Sequence, residues 1–398
     1  MEVFIFDWLA YGENVDRFKI NGQMPKLGRK HFNPRIAIDT FAQHLDAWVE
    51  AERMGFDGIA VNEHHGTPYG LQNSPNLIAA SLAQRTERIK ILIYANLLPL
   101  HEPLRLAEEL AMLDCLSKGR LIAGVGRGAP REYNFFNIPM AESRERFEEC
   151  FEVMKRAWYE ESFSFEGRYY SYKDVSIWPR PVQQPRLPVW VPITSSKETI
   201  EWAAANDISI TPGVAAGSVR EDTIRYYADC QAKYGRKVTP DRLSIWVDCY
   251  VADSKERALE EYTSHLLYFF NTLMTYDHVT QKNVRKGYFS PTAFDHLRRG
   301  SKGTLAEDSD LFSSGWTPEK VCAAAEYMPI GAADEVVERI IAECENAGAQ
   351  TVLLVCNRGA MPYEMYLNQI RRIGTEVLPR LQKHKIKSVP FAEERSLP

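Results

Sequence analysis

The chain has 398 residues, 45% of them hydrophobic and 25% charged, and a formal net charge of −5. This composition supplies a substantial apolar core, so disorder is not the default reading, and its basic residues are scattered rather than gathered into the runs that would track nucleic-acid phosphates. Seven cysteines (Cys115, Cys150, Cys230, Cys249, Cys322, Cys344, Cys356) are odd in number, widely spaced and without a Cys-x-x-Cys pair, which reads as buried thiols in a reducing cytosol.

The N-terminal MEVFIFDW carries Glu2 and Asp7 where a signal peptide needs a basic start. No apolar run approaches the ~18 residues of a spanning helix, so a cytoplasmic protein is expected. In chain order, strand-like runs fall at 3–6, 58–61, 89–95, 120–125, 189–193, 208–211, 243–251 and 351–355, alternating with helical segments. Eight parallel strands with crossover helices close a TIM-type (β/α)8 barrel, so residues 1–398 are expected to form a single α/β barrel domain with insertions.

The first helix is marked by Ile38, Phe41, Leu45, Trp48, Val49 and Met54 at helical spacing, with Gly55 as its stop. The segment 142–159 repeats the pattern with Phe147, Phe151, Met154 and Trp158, and SFEGRYYSYKDV after it reads as an inserted hairpin around Glu166 and Gly167. Between the seventh and eighth strands lie about a hundred residues, more than a crossover needs. The part at about 280–316, with Gly287, Gly300, Gly303 and Gly315, is open to two readings, a lid that orders over ligand and a surface excursion. The last dozen residues read as a loose tail.

In such a barrel chemistry sits where strands end at the C-terminal face. After strand two comes VNEHHG, with Glu63, His64 and His65. Adjacent side chains at a strand end diverge, so the two histidines do not suit one metal, and no third ligand stands at metal-site spacing. A single imidazole there can exchange protons near neutral pH; a structural histidine is the competing reading. After strand four, GVGRGAPREY contains a loose G-x-G-x-x-A dinucleotide match at Gly124, Gly126 and Ala129. Pro130 is expected to interrupt the helix that should open there, and the helical run RERFEECF occupies the place of the ribose-binding acid, so the match reads as a decoy. Arg127 among these glycines suits a phosphate. After strand five, Thr194, Ser195 and Ser196 of PITSSKET precede a helix, a position for an anion or simply for an N-cap. Strands four and five are neighbours in a barrel, so Arg127 and this helix start can reach one phosphate.

With these residues assembled, the chain resembles the bacterial luciferase-like monooxygenases, the luciferase α subunit among them. The likeness runs through FIFDW, MGFDGIAVNEHHG, LLPLHEPLRLAEELAMLDCLSKGRL, GRGAPREYNFFNIP, AESRERFEE, SIWPRPVQQPRLPVWV, EWAAANDI and PIGAADEVVERI. It implies a barrel with one flavin at its C-terminal mouth, in a homodimer or dimer of dimers. It implies a catalytic role for His64 and a flavin-phosphate site around Arg127, Arg144, Thr194, Ser195 and Ser196. It implies, too, that Tyr94, Ala95 and Asn96 lie beside the flavin ring, often through a cis peptide. Two departures stand out: Gly126 replaces the luciferase cysteine, and PITSSKET aligns only with a one-residue shift.

The implied reaction is oxygenation of a small organic substrate by reduced FMN and O2, with the flavin delivered by a separate reductase, a scheme that fits the absence of a credible nicotinamide fingerprint, although family members that accept nicotinamide directly exist. Deazaflavin-dependent hydride transfer on the same barrel is the alternative; a non-catalytic flavin-binding partner subunit is disfavoured by retention of His64 and Arg127. A metal-dependent barrel hydrolase lacks a convincing ligand set. Trp8, Tyr11, Tyr69, Trp178 and Phe289 are candidates for an aromatic pocket lining.

Overall fold

Runs such as VFIF, GIAV and TVLLV are rich in β-branched and large apolar residues, which favours strands buried on both faces. In the computed structural model, which describes residues 1–20, 24–193, 196–212, 218–273 and 316–390, all eight expected strands form. They are β1 (Glu2–Phe6), β2 (Gly58–Val61), β3 (Lys90–Ile93), β4 (Leu121–Gly126), β5 (Val189–Ile193), β6 (Ser209–Pro212), β7 (Ser244–Asp248) and β8 (Thr351–Val355). Neighbours pair in parallel around the ring, with Ile5 opposite both Ile59 and Leu354, Ile59 opposite Ile91, and Ile91 opposite Leu121. Ala123 then pairs with Val189, Val191 with Ile210 and Ile245 with Val352, and a parallel bridge between Ile210 and Leu243 joins β6 to β7. The eight parallel strands therefore form a nearly closed barrel, joined between β6 and β7 by that single bridge.

Alternate residues face opposite sides of a strand. Phe4, Phe6, Leu92, Tyr94, Ile122, Trp190, Leu353 and Val355 share the barrel interior with Trp8 and Trp246 packed against them, while Val3, Ile5, Ile59, Ile91, Val352 and Leu354 belong to the layer under the helices. The helices that matter for the site are α1 (Pro34–Met54), α2 (Pro75–Ala83), α3 (Pro103–Leu116), α4 (Pro130–Phe136), α5 (Ser143–Tyr159) and α6 (Lys197–Ala205). Helix α5 buries Phe147, Phe151, Met154 and Trp158 as expected, each such side chain contributing roughly 1.5–3 kcal/mol. The hairpin after it pairs Phe163–Glu166 with Ser171–Val175.

Several expectations need correction. Gly55 does end α1 in the left-handed region, at φ 97°, but Ile38 is 60% exposed and the inner face is made by Ala37, Thr40, Ala47, Trp48 and Ala51. Trp48 is buried and Phe41, Leu45 and Met54 pack against the core as expected, so the apolar spacing found the face and misplaced Ile38, while small residues let this long helix lie close to the barrel. The run 243–251 splits after Asp248, and Tyr250–Val251 leaves the barrel to pair with Ile330–Gly331. Cys115 and Cys322 are exposed, against the expectation that every thiol is buried. Pro130 opens α4 at its first position instead of interrupting it, because a first-turn residue has no intrahelical use for its N–H. The proposed lid at about 280–316 lies outside the described residues except for Trp316, as does most of the tail. Among the described residues no helix is long and apolar enough to cross a membrane.

Candidate functional site

The carboxyl ends of the strands bring together groups that lie far apart in the chain. From β1, Asp7 is fully buried and accepts hydrogen bonds from the Leu9 N–H at 2.8 Å, Trp48 Nε1 at 3.3 Å and Asn357 Nδ2 at 3.4 Å. It ties together the ends of β1 and β8 and helix α1. Trp8, next in the chain, stacks on the His64 ring with centroids 5.3 Å apart.

From β2, the two histidines diverge. His64 Nδ1 lies 3.3 Å from Glu132 Oε1 and 3.1 Å from the Tyr69 hydroxyl, whereas His65 Nε2 lies 2.9 Å from Glu63 Oε1. Glu63 itself is 2% exposed and also meets His101 Nε2 at 2.9 Å and accepts from the Leu97 N–H at 2.9 Å. Burial by itself would raise this carboxyl, but the bonds from His101 and His65 hold it down at about 2. Burial likewise opposes the charge on His101, and Glu63 overcomes it, so His101 titrates above the ordinary histidine value. The folded-state value of Glu63 lies below the ordinary glutamate value, so its stabilisation is complete above the latter and is lost as pH falls through the interval to about 2. Glu63→Ala, which orphans three donors, is expected to cost about 3–5 kcal/mol near neutral pH and to flatten the acid side of the stability curve. Urea unfolding from neutral to acid pH checks this; equal slopes for both proteins would show that the Glu63 carboxyl titrates alike in the folded and unfolded chain.

At the end of β3 the Tyr94–Ala95 peptide is cis. Asn96 is fully buried, its Nδ2 donating to Asn76 Oδ1 at 3.2 Å, and its backbone pairs with Val125 of β4. Gly124 explains the glycine of the dinucleotide match: a Cβ there would stand 1.7 Å from the Ile93 carbonyl oxygen. The glycine is needed for β4 to close on β3, a packing requirement unrelated to a nucleotide.

From β4, Arg127 Nη1 donates to Ser143 Oγ, the first residue of α5, at 3.4 Å. Arg144, the next residue of α5, donates through Nη2 to Ser196 Oγ at 3.0 Å and Thr199 Oγ1 at 2.8 Å. Ser196 is the N-cap of α6, accepting from the Thr199 N–H at 3.3 Å. Arg127, Arg144 and Ser196 are thereby gathered at two adjoining helix starts; Thr194 and Ser195 lie outside the described residues. Glu148 lies 3.7 Å from Arg144, and among the described residues the buried Arg144 Nη1 has no hydrogen-bond partner. Burial, and then the charge of Arg127, push the Arg144 guanidinium down to about 10. Two cations pressed together with an unused donor between helix N-termini fit the phosphate of a cofactor.

On the opposite side of the mouth, Arg358 after β8 is 1% exposed and forms a two-pronged pair with Asp248 at the end of β7, at 2.6 and 2.9 Å. Its guanidinium carbon lies 4.2 Å from the Phe269 ring centroid and 5.2 Å from that of Trp246. Of the aromatics expected to line a pocket, Trp8 and Tyr69 adjoin His64 and Tyr11 packs beside them. Trp178 is 85% exposed on the surface and is removed from the list; Phe289 lies outside the described residues. His101, the Arg131–Glu132 pair and the Arg358–Asp248 pair were not anticipated. Arg131 and Glu132 stood in GRGAPREY, read for its glycines, Arg127 and Pro130, and His101 in LLPLHEP; no local pattern linked any of them to a partner.

Fold and geometry together describe a β/α barrel whose buried polar groups gather at the carboxyl ends of its strands. The profile of the luciferase-like monooxygenases matches residues 21–351. The chain belongs to that family, and is a flavin-dependent oxidoreductase of the oxygen-incorporating kind. It is similar to the oxygenase component of a flavin-dependent trigonelline monooxygenase from Acinetobacter baylyi, at 26% identity over 87% of this chain and 92% of that one. An uncharacterized protein of Sinorhizobium fredii, y4wF, is 34% identical over 203 residues, 49% of this chain, and the match spans 59% of that relative's length. Among solved structures, the oxygenating constituent of 3,6-diketocamphane monooxygenase from Pseudomonas putida, in complex with FMN, superposes with a TM-score of 0.71 at 19% identity, covering 96% of this chain and 98% of that one. An F420-dependent secondary alcohol dehydrogenase superposes with a TM-score of 0.61 at 15% identity, covering 96% and 98%.

Proposed function

We propose that this protein is the oxygenase component of a two-component system, in which a separate reductase supplies reduced FMN and O2 is used to oxygenate a small organic substrate. The observation that carries the reading is the pair Arg127 and Arg144, crowded together, with Arg144 Nη1 unpartnered among the described residues. Arg127, Arg144 and Ser196, with Thr194 and Ser195, hold the flavin phosphate by charge-assisted hydrogen bonds. The backbone of Tyr94, Ala95 and Asn96 borders the flavin ring. When bound, the reduced flavin supplies the electrons that activate oxygen.

His64 moves a proton at Nε2, the ring nitrogen left over once Nδ1 has engaged Glu132 and Tyr69. Burial holds the imidazole below its ordinary value, so it is neutral near pH 7 and ready to accept a proton. The aromatic side chains Trp8, Tyr69 and Trp246 exclude water from the reacting atoms and favour an apolar or ring-bearing substrate. The protein acts in the cytoplasm as one barrel domain, and as a homodimer or dimer of dimers.

The test is to load the protein with anaerobically reduced FMN, mix it with aerated buffer in a stopped-flow instrument and follow the flavin absorbance. Slow reoxidation in resolved phases is expected; reoxidation matching free FMN would overturn the reading. A second reading, hydride transfer with a deazaflavin coenzyme, draws on the likeness to the F420-dependent dehydrogenase. It would be favoured by tight binding of that coenzyme together with weak binding of reduced FMN.

A further inference from the structure

Glu132 lies 68 residues from His64 in the chain, is fully buried, and is not required to explain flavin binding. Its Oε1 meets His64 Nδ1 at 3.3 Å and accepts from Arg131 Nη2 at 3.0 Å, while its Oε2 accepts from the Ala129 N–H at 3.0 Å. Arg131 is also buried, donates to the Tyr69 hydroxyl and packs its guanidinium 4.6 Å from the centroid of the Tyr69 ring. Tyr69 in turn touches His64 Nδ1. Both faces of this arrangement are therefore held: the carboxylate is anchored by its own helix start, and the arginine by a ring and two oxygens.

We infer that Glu132 and Arg131 are a positioning pair, which orients His64 and fixes it as the tautomer with its proton on Nδ1. An ionised carboxylate can only accept a hydrogen bond, so Nδ1 must be the donor in that contact. The Nε2 lone pair is then left for chemistry; among the described residues no hydrogen bond to Nε2 is formed. An imidazole oriented through its other nitrogen by a carboxylate is a recurring arrangement for proton transfer. Here the arginine adds a second function. A bare carboxylate would stabilise imidazolium, and Arg131 compensates that charge, so orientation is obtained without protonating the base.

The groups facing His64 are Glu132 and Arg131 from α4, Tyr69 from the loop after β2, and Glu63 at the end of β2, with the uncharged Trp8 ring stacked on it from the loop after β1. Burial of His64 and the charge of Arg131 act downward on its titration, and the hydrogen bond and charge of Glu132 act upward with a contribution from Glu63. The pair thus makes opposed contributions to one ring, which sets it apart from a merely structural salt bridge.

The assignment gives a mechanism to the reading of His64 as the proton-transfer group and rests on it for its functional meaning, but its test does not need turnover. Full-length protein labelled with 15N-histidine is titrated by NMR as wild type, Glu132→Gln, Glu132→Asp and Arg131→Gln, each checked for native circular dichroism. Wild-type His64 should show the Nδ1–H tautomer. Glu132→Gln should lose that preference and lower the titration midpoint, and Arg131→Gln should raise it, each displaced by about one pH unit. Glu132→Asp keeps the charge and should retain the wild-type tautomer. An Nε2–H tautomer in the wild type, or midpoints unmoved or moved together in the two glutamine variants, would overturn the assignment. The pH profile of reduced-flavin reoxidation in the same proteins separates the two ideas. A profile that follows the NMR midpoints supports both, and one that ignores displaced midpoints leaves the pair's hold on His64 standing while removing His64 from the proton transfer.

Discussion

His64→Ala is expected to lower coupled product formation ~10²–10⁴-fold, the usual contribution of a positioned acid or base, while reduced FMN still binds. The reason lies in the geometry: with Nδ1 committed to Glu132 and Tyr69 and the ring stacked on Trp8, Nε2 is the ring atom available to exchange a proton. Water filling the vacated space would be a poorer and less oriented acceptor. The measurement is product formed per flavin oxidised, together with the dissociation constant of reduced FMN. Unchanged coupling with flavin fully bound would take His64 out of the chemistry and leave it a structural histidine. His65 serves as a contrast, because its Nε2 is engaged by Glu63. His65→Ala should reduce stability far more than it reduces coupling.

Arg144→Met should weaken reduced-FMN binding about 10- to 100-fold, the equivalent of one charge-assisted hydrogen bond of roughly 1.5–3 kcal/mol. Arg127→Met should do so to a similar or smaller degree. The sharper readout is discrimination between FMN and riboflavin, which lacks the phosphate. The wild type should prefer FMN strongly, and each substitution should bring the two affinities together by weakening FMN alone. Should Arg144→Met leave that preference intact, the phosphate is held elsewhere, and the serine-capped start of α6 would lose its proposed partner. Removing one arginine also relieves the other of a like charge in a buried setting, so the double variant should lose less affinity than the two single losses added together.

The strands of the barrel were legible because each is a short apolar run whose composition expresses burial on both faces, and every one of the eight expected runs forms. Helix α5 was legible for the same local reason, through Phe147, Phe151, Met154 and Trp158. Helix α1 was legible through Trp48, Phe41, Leu45 and Met54, but Ile38 fits the pattern and faces out, while Ala47 and Ala51, which carry little signal, face in. Close approach selects small residues, and a reading weighted by side-chain size overlooks them.

What the sequence by itself determined is the inventory: eight strands, helices between them, and a small set of polar residues placed just after strand ends. Those features depend on neighbours within a few positions, and local propensity is enough to specify them. Which polar residue meets which was decided by the barrel. Glu63 meets His101 across 38 positions, His64 meets Glu132 across 68 and Arg358 meets Asp248 across 110. Each of these contacts depends on the parallel register of the strands and on the inward lean of loops that no local pattern encodes. The residues themselves singled out His64 and Arg127 as candidates and the family resemblance added Arg144; the tertiary structure supplied the carboxylates, hydroxyls and rings around them, because hydrogen bonds and desolvation act through space and not along the chain.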